Sequence, residues 1–219
     1  MLNPTKITGI DEDEWRAREQ ALRDYINDRC IKRVPPNSRE LTQMDDPNRF
    51  YEWQFYLRAA VLRPDHLNFI AQYFWGLYRQ KYLERPFQIA GLESAATPIL
   101  TSILLTAQAA TGRGVNAFLV RKERKAFGLR NIIEGIPNDE PVVIIDDFTS
   151  PQHITTWNAI RAIIAEKLEL YGAGFVVVYK GRWTDVPRKL ETSHCDIMID
   201  TIFTLDDFDL TLAEYGKKR

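Results

Sequence analysis

The chain has few of the residues that build disulfide frameworks or Cys/His metal sites. Its 219 residues include two cysteines and three histidines. Cys30 and Cys195 lie far apart in the sequence, form no Cys-x-x-Cys pair, and only His194 adjoins one of them. Cysteines used in this way indicate reduced thiols of a cytosolic protein and argue against a disulfide or a zinc site.

The sequence also lacks a long apolar run and a strong charge of either sign. Its longest apolar stretch, near residues 98–110, is interrupted by Thr, Ser and Gln, which is not typical of a membrane span. The N-terminus is acidic from Asp11 to Glu14, where a signal peptide would be basic and then apolar. A formal net charge of −1 gives no overall attraction to nucleic acid or membrane. We therefore expect a cytoplasmic protein in which any anion site is local.

From residue 87 onward, short apolar runs alternate with helical patterns. The predicted strands cover residues 87–90, 115–120, 142–145, 175–179 and 196–203. The predicted helices cover 98–110, ended by Gly112, and 154–171, ended by Gly172. This alternation predicts an α/β fold with a doubly wound, mainly parallel sheet.

The N-terminal part of the chain has a different pattern. Residues 11–30 predict an amphipathic helix, residues 33–49 are rich in turn-forming residues, and Pro64-Asp65 begins a further helix. The predicted organisation is therefore an N-terminal helical extension and linker (1–49), a main α/β domain (50–210) and a C-terminal tail (211–219).

The segment 142–157 carries the strongest functional signal. Four β-branched residues predict a buried parallel strand, and Asp146 and Asp147 follow at its C-terminal end, where open α/β sheets bind ligands. A loop rich in hydroxyl groups then leads into a helix whose N-terminal N–H groups suit an anion. This order predicts ribose-phosphate recognition, with the carboxylates accepting sugar hydroxyls. The alternative is that the Asp pair only ends a strand and caps a helix, as most such pairs do.

A basic loop spans residues 121–135, between two predicted strands. Such a run is usually a solvated surface. Its position at the C-terminal end of a strand, on the same sheet edge as Asp146 and Asp147, favours a loop that closes over a polyanion.

With both segments in view, the chain resembles the orotate phosphoribosyltransferases, a type I phosphoribosyltransferase family. The resemblance covers about residues 50–210, and its motifs occur in order. They are Leu57-Arg58, the segment from Ala90-Gly91 to Pro98-Ile99, Arg-Lys-Glu-x-Lys-x-x-Gly at 121–128 with Ile-Glu-Gly at 133–135, and the apolar run ending in Asp146-Asp147.

The resemblance implies transfer of the phosphoribosyl group of phosphoribosyl pyrophosphate to orotate or a related base, as in pyrimidine biosynthesis. A Mg²⁺ ion would be held by the diphosphate and not by protein side chains, and a homodimer would place the basic loop over the neighbouring site. The implied catalytic residues are Arg121, Lys122 and Lys125 at the diphosphate and Asp146 and Asp147 at the ribose hydroxyls. The implied ligand contacts are Glu93, Ser94, Thr149, Ser150, His153 and Thr155, with Lys180 or Arg182 at the orotate carboxylate.

The chain departs from the family's pattern in three places. Ser150-Pro151-Gln152-His153 replaces Thr, a small residue, Gly and Thr, so Pro151 removes an N–H donor and Gln152 removes the backbone freedom of glycine. Phe127 replaces a His in the basic loop. Ser94-Ala95-Ala96 stands where a Tyr-Lys or Gly-Gly pair is common.

Two hypotheses follow from these residues. The favoured one is an active phosphoribosyltransferase of orotate or a related base, because the charged residues for pyrophosphate chemistry are retained. The alternative is a catalytically silent protein of the same fold that binds a phosphoribosyl compound or nucleotide as a sensor or regulator. Nucleic-acid binding through the basic loop ranks last, since the chain has no basic face or stacking motif.

Overall fold

The computed structural model describes residues 9–34, 42–43, 50–51, 53–121, 131–149, 154–184, 188–191 and 196–210. The predictions for Lys122, Lys125, Ser150 and His153 lie outside these residues, as does the predicted tail.

Five α-helices and eleven strands are assigned within the described residues. The helices are α1 (Glu12–Tyr25), α2 (Arg58–Val61), α3 (Pro64–Glu84), α4 (Thr97–Thr111) and α5 (Ile154–Ala165). The strands are β1 (Ile31–Arg33), β2 (Thr42–Gln43), β3 (Phe50–Tyr51), β4 (Trp53–Phe55), β5 (Gln88–Leu92), β6 (Ala117–Val120), β7 (Ile133–Glu134), β8 (Val142–Thr149), β9 (Leu170–Tyr179), β10 (Lys189–Glu191) and β11 (Asp196–Thr204). A π-helical turn (Ile26–Cys30) follows α1, and a 3₁₀ turn (Leu205–Phe208) follows β11.

A seven-stranded sheet in the order β10-β11-β9-β8-β5-β6-β7 forms the centre of the described structure. The five inner strands run parallel, and the two edge strands pair antiparallel. The predicted α/β fold with a mainly parallel, doubly wound sheet is confirmed. The chain passes from β5 through α4 to β6 on one side and then returns to β8 on the other side. The strand order therefore reverses between β5 and β8, which is where open α/β sheets form their binding crevice.

Both faces of the sheet are covered by apolar packing. On one face, α1 packs on α3, where the ring centroid of Trp15 lies 4.8 Å from that of Phe69. Trp15, Leu22 and Ile26 are all buried, which confirms the apolar face expected for the first helix. On the other face, Ile160 and Ile163 of α5 pack with apolar residues of the sheet. Among the residues described, no helix combines the length and the apolar character that crossing a bilayer requires.

The segment after α5 corrects one sequence prediction. The helix predicted over 154–171 ends at Ala165, and Gly172 lies inside β9 with φ +80° instead of ending a helix. The turn occurs at Lys167, whose φ is +60°. The helical prediction failed because Leu168 and Leu170 alternate with charged residues, a spacing that suits a strand, and Leu170 pairs with Val142.

Strand β8 is longer than predicted. It continues through the Asp pair to Thr149 because its backbone still pairs with β9, Asp146 with Val176 and Phe148 with Val178. The two carboxylates therefore lie within the last part of the strand and not after its end. Strand β5 likewise extends to Leu92, two residues beyond the prediction. The predicted end of α4 at Gly112 is confirmed, since Gly112 adopts the left-handed conformation with φ +79°.

Candidate functional site

A cavity of about 380 Å³ lies at the carboxyl ends of β5 and β8, where the strand order reverses. Its volume falls within the range of small-molecule sites. The wall contributed by β5 and the following loop consists of Leu92, Glu93 and Ala95, that of β8 consists of Asp146, Asp147 and Phe148, and the third wall consists of Phe55, Tyr56, Leu57, Arg58 and Ala59.

Asp146 and Asp147 are both buried, each with 5% of its surface exposed. The N–H of Asp147 donates to Oδ1 of Asp146 at 2.9 Å, and the N–H of Phe148 donates to Oδ1 of Asp147 at 2.9 Å. These bonds lie within β8 and not at the start of α5, where helix capping would place them. The geometry therefore favours a cavity role for the pair over a capping role.

The electrostatic setting of Asp147 is unusual for a carboxylate. Burial raises the pKa of Asp147 above its ordinary value, while a hydrogen bond with Asp146 and the positive charge of Arg58 act in the opposite direction. Arg58 also lines the cavity. Because burial disfavours the ionised form, a ligand that donates hydrogen bonds to this carboxylate would relieve an existing cost.

Arg121 follows β6 directly, and its N–H donates to the carbonyl of Ile132 at 2.8 Å. Its guanidinium forms an ion pair with Glu134 of β7 and lies 3.5 Å from Oε2 of Glu93. Only 14% of the Arg121 side chain is exposed. Within the described part of the chain, its Nε has no hydrogen-bond partner. The residue predicted to bind diphosphate is therefore held between two carboxylates.

The loop between β5 and α4 folds back tightly on β5. A Cβ atom at Gly91 would lie 2.9 Å from the Cβ of Ala96, so only glycine fits this position. The amide of Ala96 donates to the carbonyl of Leu92 at 3.2 Å. The peptide bond between Glu93 and Ser94 is cis. Glu93 lies on the cavity wall, while Ser94 is exposed.

Thr149, another predicted ligand contact, links β8 to α5. Its Oγ1 lies 3.0 Å from Oγ1 of Thr156, and both side chains are buried. Thr155 lies in the first turn of α5. A ligand role for Thr149 and Thr155 remains a prediction, and the hydroxyl of Thr149 is engaged inside the protein.

Lys180 and Arg182 were predicted as alternatives for the orotate carboxylate, and the structure places them differently. The N–H of Lys180 donates to the carbonyl of Thr149 at 2.7 Å, and its Nζ lies 4.2 Å from the ring centroid of Phe148. Nε of Arg182 lies 4.0 Å from Oδ1 of Asp206. Lys180 is thus brought beside a residue of the cavity wall, whereas Arg182 pairs with the 3₁₀ turn.

Sequence reasoning missed most of the third wall. Leu57-Arg58 is a sequence motif without an assigned role, and Phe55 and Tyr56 carry no sequence prediction. Phe148, in the wall formed by β8, was not predicted either. A buried Leu57, with 1% of its surface exposed, anchors this segment and leaves Arg58 and Tyr56 exposed at the cavity. The available signal was the alternation of aromatic and polar residues in β4, which predicts a half-buried strand.

Part of the chain is similar in sequence to curated orotate phosphoribosyltransferases. The chain is 33% identical over 90 residues to the orotate phosphoribosyltransferase of Corynebacterium glutamicum strain R, covering 41% of this chain and 46% of that protein. It is 30% identical over 132 residues to the orotate phosphoribosyltransferase of Bradyrhizobium diazoefficiens, covering 58% of this chain and 65% of that protein. The matched part thus spans about half to two thirds of these relatives. No protein-family model matches the chain.

Solved structures are similar over most of the chain. A phosphoribosyltransferase of Corynebacterium diphtheriae superposes with a TM-score of 0.61 and 21% identity, covering 89% of this chain and 99% of that one. The orotate phosphoribosyltransferase of Mycobacterium tuberculosis in complex with phosphoribosyl pyrophosphate gives a TM-score of 0.56 and 18% identity, covering 91% and 94%.

The solved structures show the class of fold to which the chain belongs. The chain has the type I phosphoribosyltransferase fold. Within that class, the resemblance to the orotate phosphoribosyltransferases that its motifs indicated is confirmed by the curated relatives.

Proposed function

We propose that this protein transfers the phosphoribosyl group of phosphoribosyl pyrophosphate to orotate or a related base. One observation carries the proposal: the buried carboxylates of Asp146 and Asp147 line a cavity at the point where the strand order reverses. A fold alone does not define an activity. The carboxylate pair at this position, together with Arg121 on the same sheet edge, supports a site for a sugar that carries anionic groups.

Each part of the site has a chemical role in this proposal. Asp146 and Asp147 accept hydrogen bonds from the two ribose hydroxyls and fix the sugar. Arg121, Lys122 and Lys125 contact the diphosphate and stabilise the charge that grows on it as it leaves. Phe148 and the segment of Tyr56 and Arg58 enclose the base.

Magnesium fits this arrangement as an ion that enters with the diphosphate. The ion would be held by phosphate oxygens of the diphosphate and by water, ligands that Mg²⁺ accepts in substrate complexes, while Asp146 and Asp147 accept the ribose hydroxyls. No group of three or more His, Cys, Asp or Glu residues that could hold a metal occurs among the described residues. When bound, the ion would neutralise part of the diphosphate charge.

A homodimer is part of the same proposal. The basic loop begins at the carboxyl end of β6, and its last residues pair with β6 as strand β7. In the dimer, the part of the loop that carries Lys122 and Lys125 would cover the cavity of the neighbouring subunit. A twofold axis would make the two sites equivalent.

One observation favours a second candidate, a protein that binds a phosphoribosyl compound without turning it over. Arg121 is paired with Glu93 and Glu134, so its charge is already balanced in the described structure. Such a sensor or regulator would retain the site that binds the ribose but would not catalyse transfer of the phosphoribosyl group.

A product assay separates these candidates. Purified protein is incubated with phosphoribosyl pyrophosphate, magnesium chloride and one of several bases, and released pyrophosphate and nucleotide are quantified. Asp146→Asn with Asp147→Asn should lose product. The matched control, Asp139→Asn with Glu140→Gln, neutralises an adjacent acidic pair outside the cavity wall and should keep activity. Binding of phosphoribosyl pyrophosphate without product from any base would support the silent candidate.

A further inference from the structure

We infer that Glu93 competes with the ligand for Arg121 and thereby sets the affinity of this site for phosphate anions. The inference rests on the proposed function, because it assumes that an anionic ligand approaches Arg121. It assigns a role to a carboxylate of the cavity wall that lies next to Arg121, the residue proposed to contact the diphosphate.

The position of Glu93 is fixed by its backbone. Its N–H donates to the carbonyl of Val120 at 2.9 Å, which places Glu93 beside the residue that precedes Arg121. Its Oε2 then lies 3.5 Å from Nη1 of Arg121. Because 38% of the Glu93 side chain is exposed and only 14% of the Arg121 side chain is, the carboxylate is the more accessible member of the pair.

Glu93 differs from the other carboxylate on Arg121. Glu134 belongs to the edge strand β7 and is not part of the cavity wall, whereas Glu93 is. An anion that reaches Arg121 from the cavity therefore meets Glu93 first. It must displace that carboxylate or bind beside it, and like charges brought together raise the free energy of the complex.

The charges around the cavity strengthen this effect. Among the described residues, the wall carries three carboxylates, on Glu93, Asp146 and Asp147, and one guanidinium, on Arg58. Residues 93–96 connect β5 to α4, and the sequence from 91 to 98 contains no Lys or Arg. The loop between β5 and α4 thus supplies a negative charge at the position where a phosphate would need a positive one.

The competition can be measured with inorganic pyrophosphate as the probe. Calorimetric titration is carried out on the parent, on Glu93→Gln and on Asp139→Asn, which removes the same charge from an exposed site outside the cavity. We expect Glu93→Gln to bind pyrophosphate about tenfold more tightly than the parent, on the order of 1.4 kcal/mol. Asp139→Asn should bind like the parent. Glu93→Ala provides a second variant with the same expected direction.

A double variant identifies the route of the effect. If Glu93 acts by occupying Arg121, the gain should disappear in Glu93→Gln with Arg121→Gln relative to Arg121→Gln alone. A gain that survives the loss of Arg121 would overturn the inference, since a diffuse charge effect would then explain it.

The other outcomes are equally decisive. If the parent binds pyrophosphate and Glu93→Gln binds no better, the inference is wrong and the proposed function stands. If only Glu93→Gln binds, the inference holds in its strongest form. If neither protein binds pyrophosphate and both remain folded by circular dichroism, the anion subsite does not exist, and the proposed function fails with the inference.

Discussion

The ammonium group of Lys180 lies 4.2 Å from the centre of the Phe148 ring. Phe148 lines the cavity, and the backbone of Lys180 is tied to Thr149 by a hydrogen bond of 2.7 Å. The first residue after β9 is thereby fixed against the wall formed by β8. A cation held on an aromatic face near a cavity can turn toward an anionic group of a ligand.

Lys180→Gln should weaken the binding of a base that carries a carboxylate. Loss of one charge-assisted hydrogen bond corresponds to about a tenfold to hundredfold rise in the Kd or KM for orotate. The matched control is Arg182→Gln, since Arg182 pairs with Asp206 away from the cavity. Steady-state kinetics with orotate as the varied substrate checks this. An effect in Arg182→Gln and none in Lys180→Gln would reverse the assignment.

The pH dependence of stability should reveal the burial of Asp147. Its pKa is raised in the folded protein, so the folded state binds the proton more tightly than the unfolded state does. The stability contribution of this group is therefore fully present below its unfolded pKa of about 3.9 and is lost as the pH rises through the raised pKa.

Denaturant unfolding of the parent and of Asp147→Asn across this pH range tests the point. The variant has no carboxylate at this position to ionise. The difference in the free energy of unfolding between variant and parent should therefore grow as the pH rises through the raised pKa of Asp147 and then become constant. A variant that loses stability relative to the parent with rising pH would show that ionised Asp147 stabilises the fold.

Mixing of inactive subunits tests the proposed dimer. Asp147→Asn removes a residue of the cavity, and Lys125→Ala removes a residue of the basic loop. If the loop crosses between subunits, co-refolding should give roughly one competent site per mixed dimer. Pyrophosphate release is the measurement. A monomer by light scattering, or no recovery in mixed samples, would contradict the crossing loop.

The substitutions at 150–153 lead to a prediction from the sequence alone. Pro151→Ala with Gln152→Gly restores one N–H donor and the backbone freedom of glycine. Affinity for phosphoribosyl pyrophosphate should rise about tenfold to hundredfold, because one hydrogen bond to a charged group contributes about 1.5–3 kcal/mol. Calorimetry on Pro151→Ala alone separates the two effects. Weaker binding by the double variant would mean that the existing residues form a working phosphate site.

The parts of the fold that could be predicted from the sequence are those set by local chemistry. The β-branched residues 142–145 define β8, Gly112 ends α4, and the carboxylates at 146 and 147 mark the sheet edge because strand and pair are adjacent in the chain. The segment 166–172 was mispredicted because Leu168 and Leu170 suit either a helix or a strand, and pairing with β8 decided between them.

The relationships that could not be predicted join residues distant in sequence. Glu93 meets Arg121 only because β5 and β6 are neighbours in register, with Leu92 opposite Val120. Phe148 and Tyr56 line the same cavity although they lie far apart in the sequence. Pairs of this kind depend on sheet order, which motif reading does not supply.

Calorimetric titration of the full chain with phosphoribosyl pyrophosphate in the presence of magnesium chloride tests the central claim most directly. The site geometry predicts saturable binding with one ligand per chain, and it predicts that Asp146→Asn with Asp147→Asn abolishes this binding in a protein that remains folded. Binding of equal strength in the parent and in this variant, or no binding by the folded parent, would contradict the assignment of the cavity.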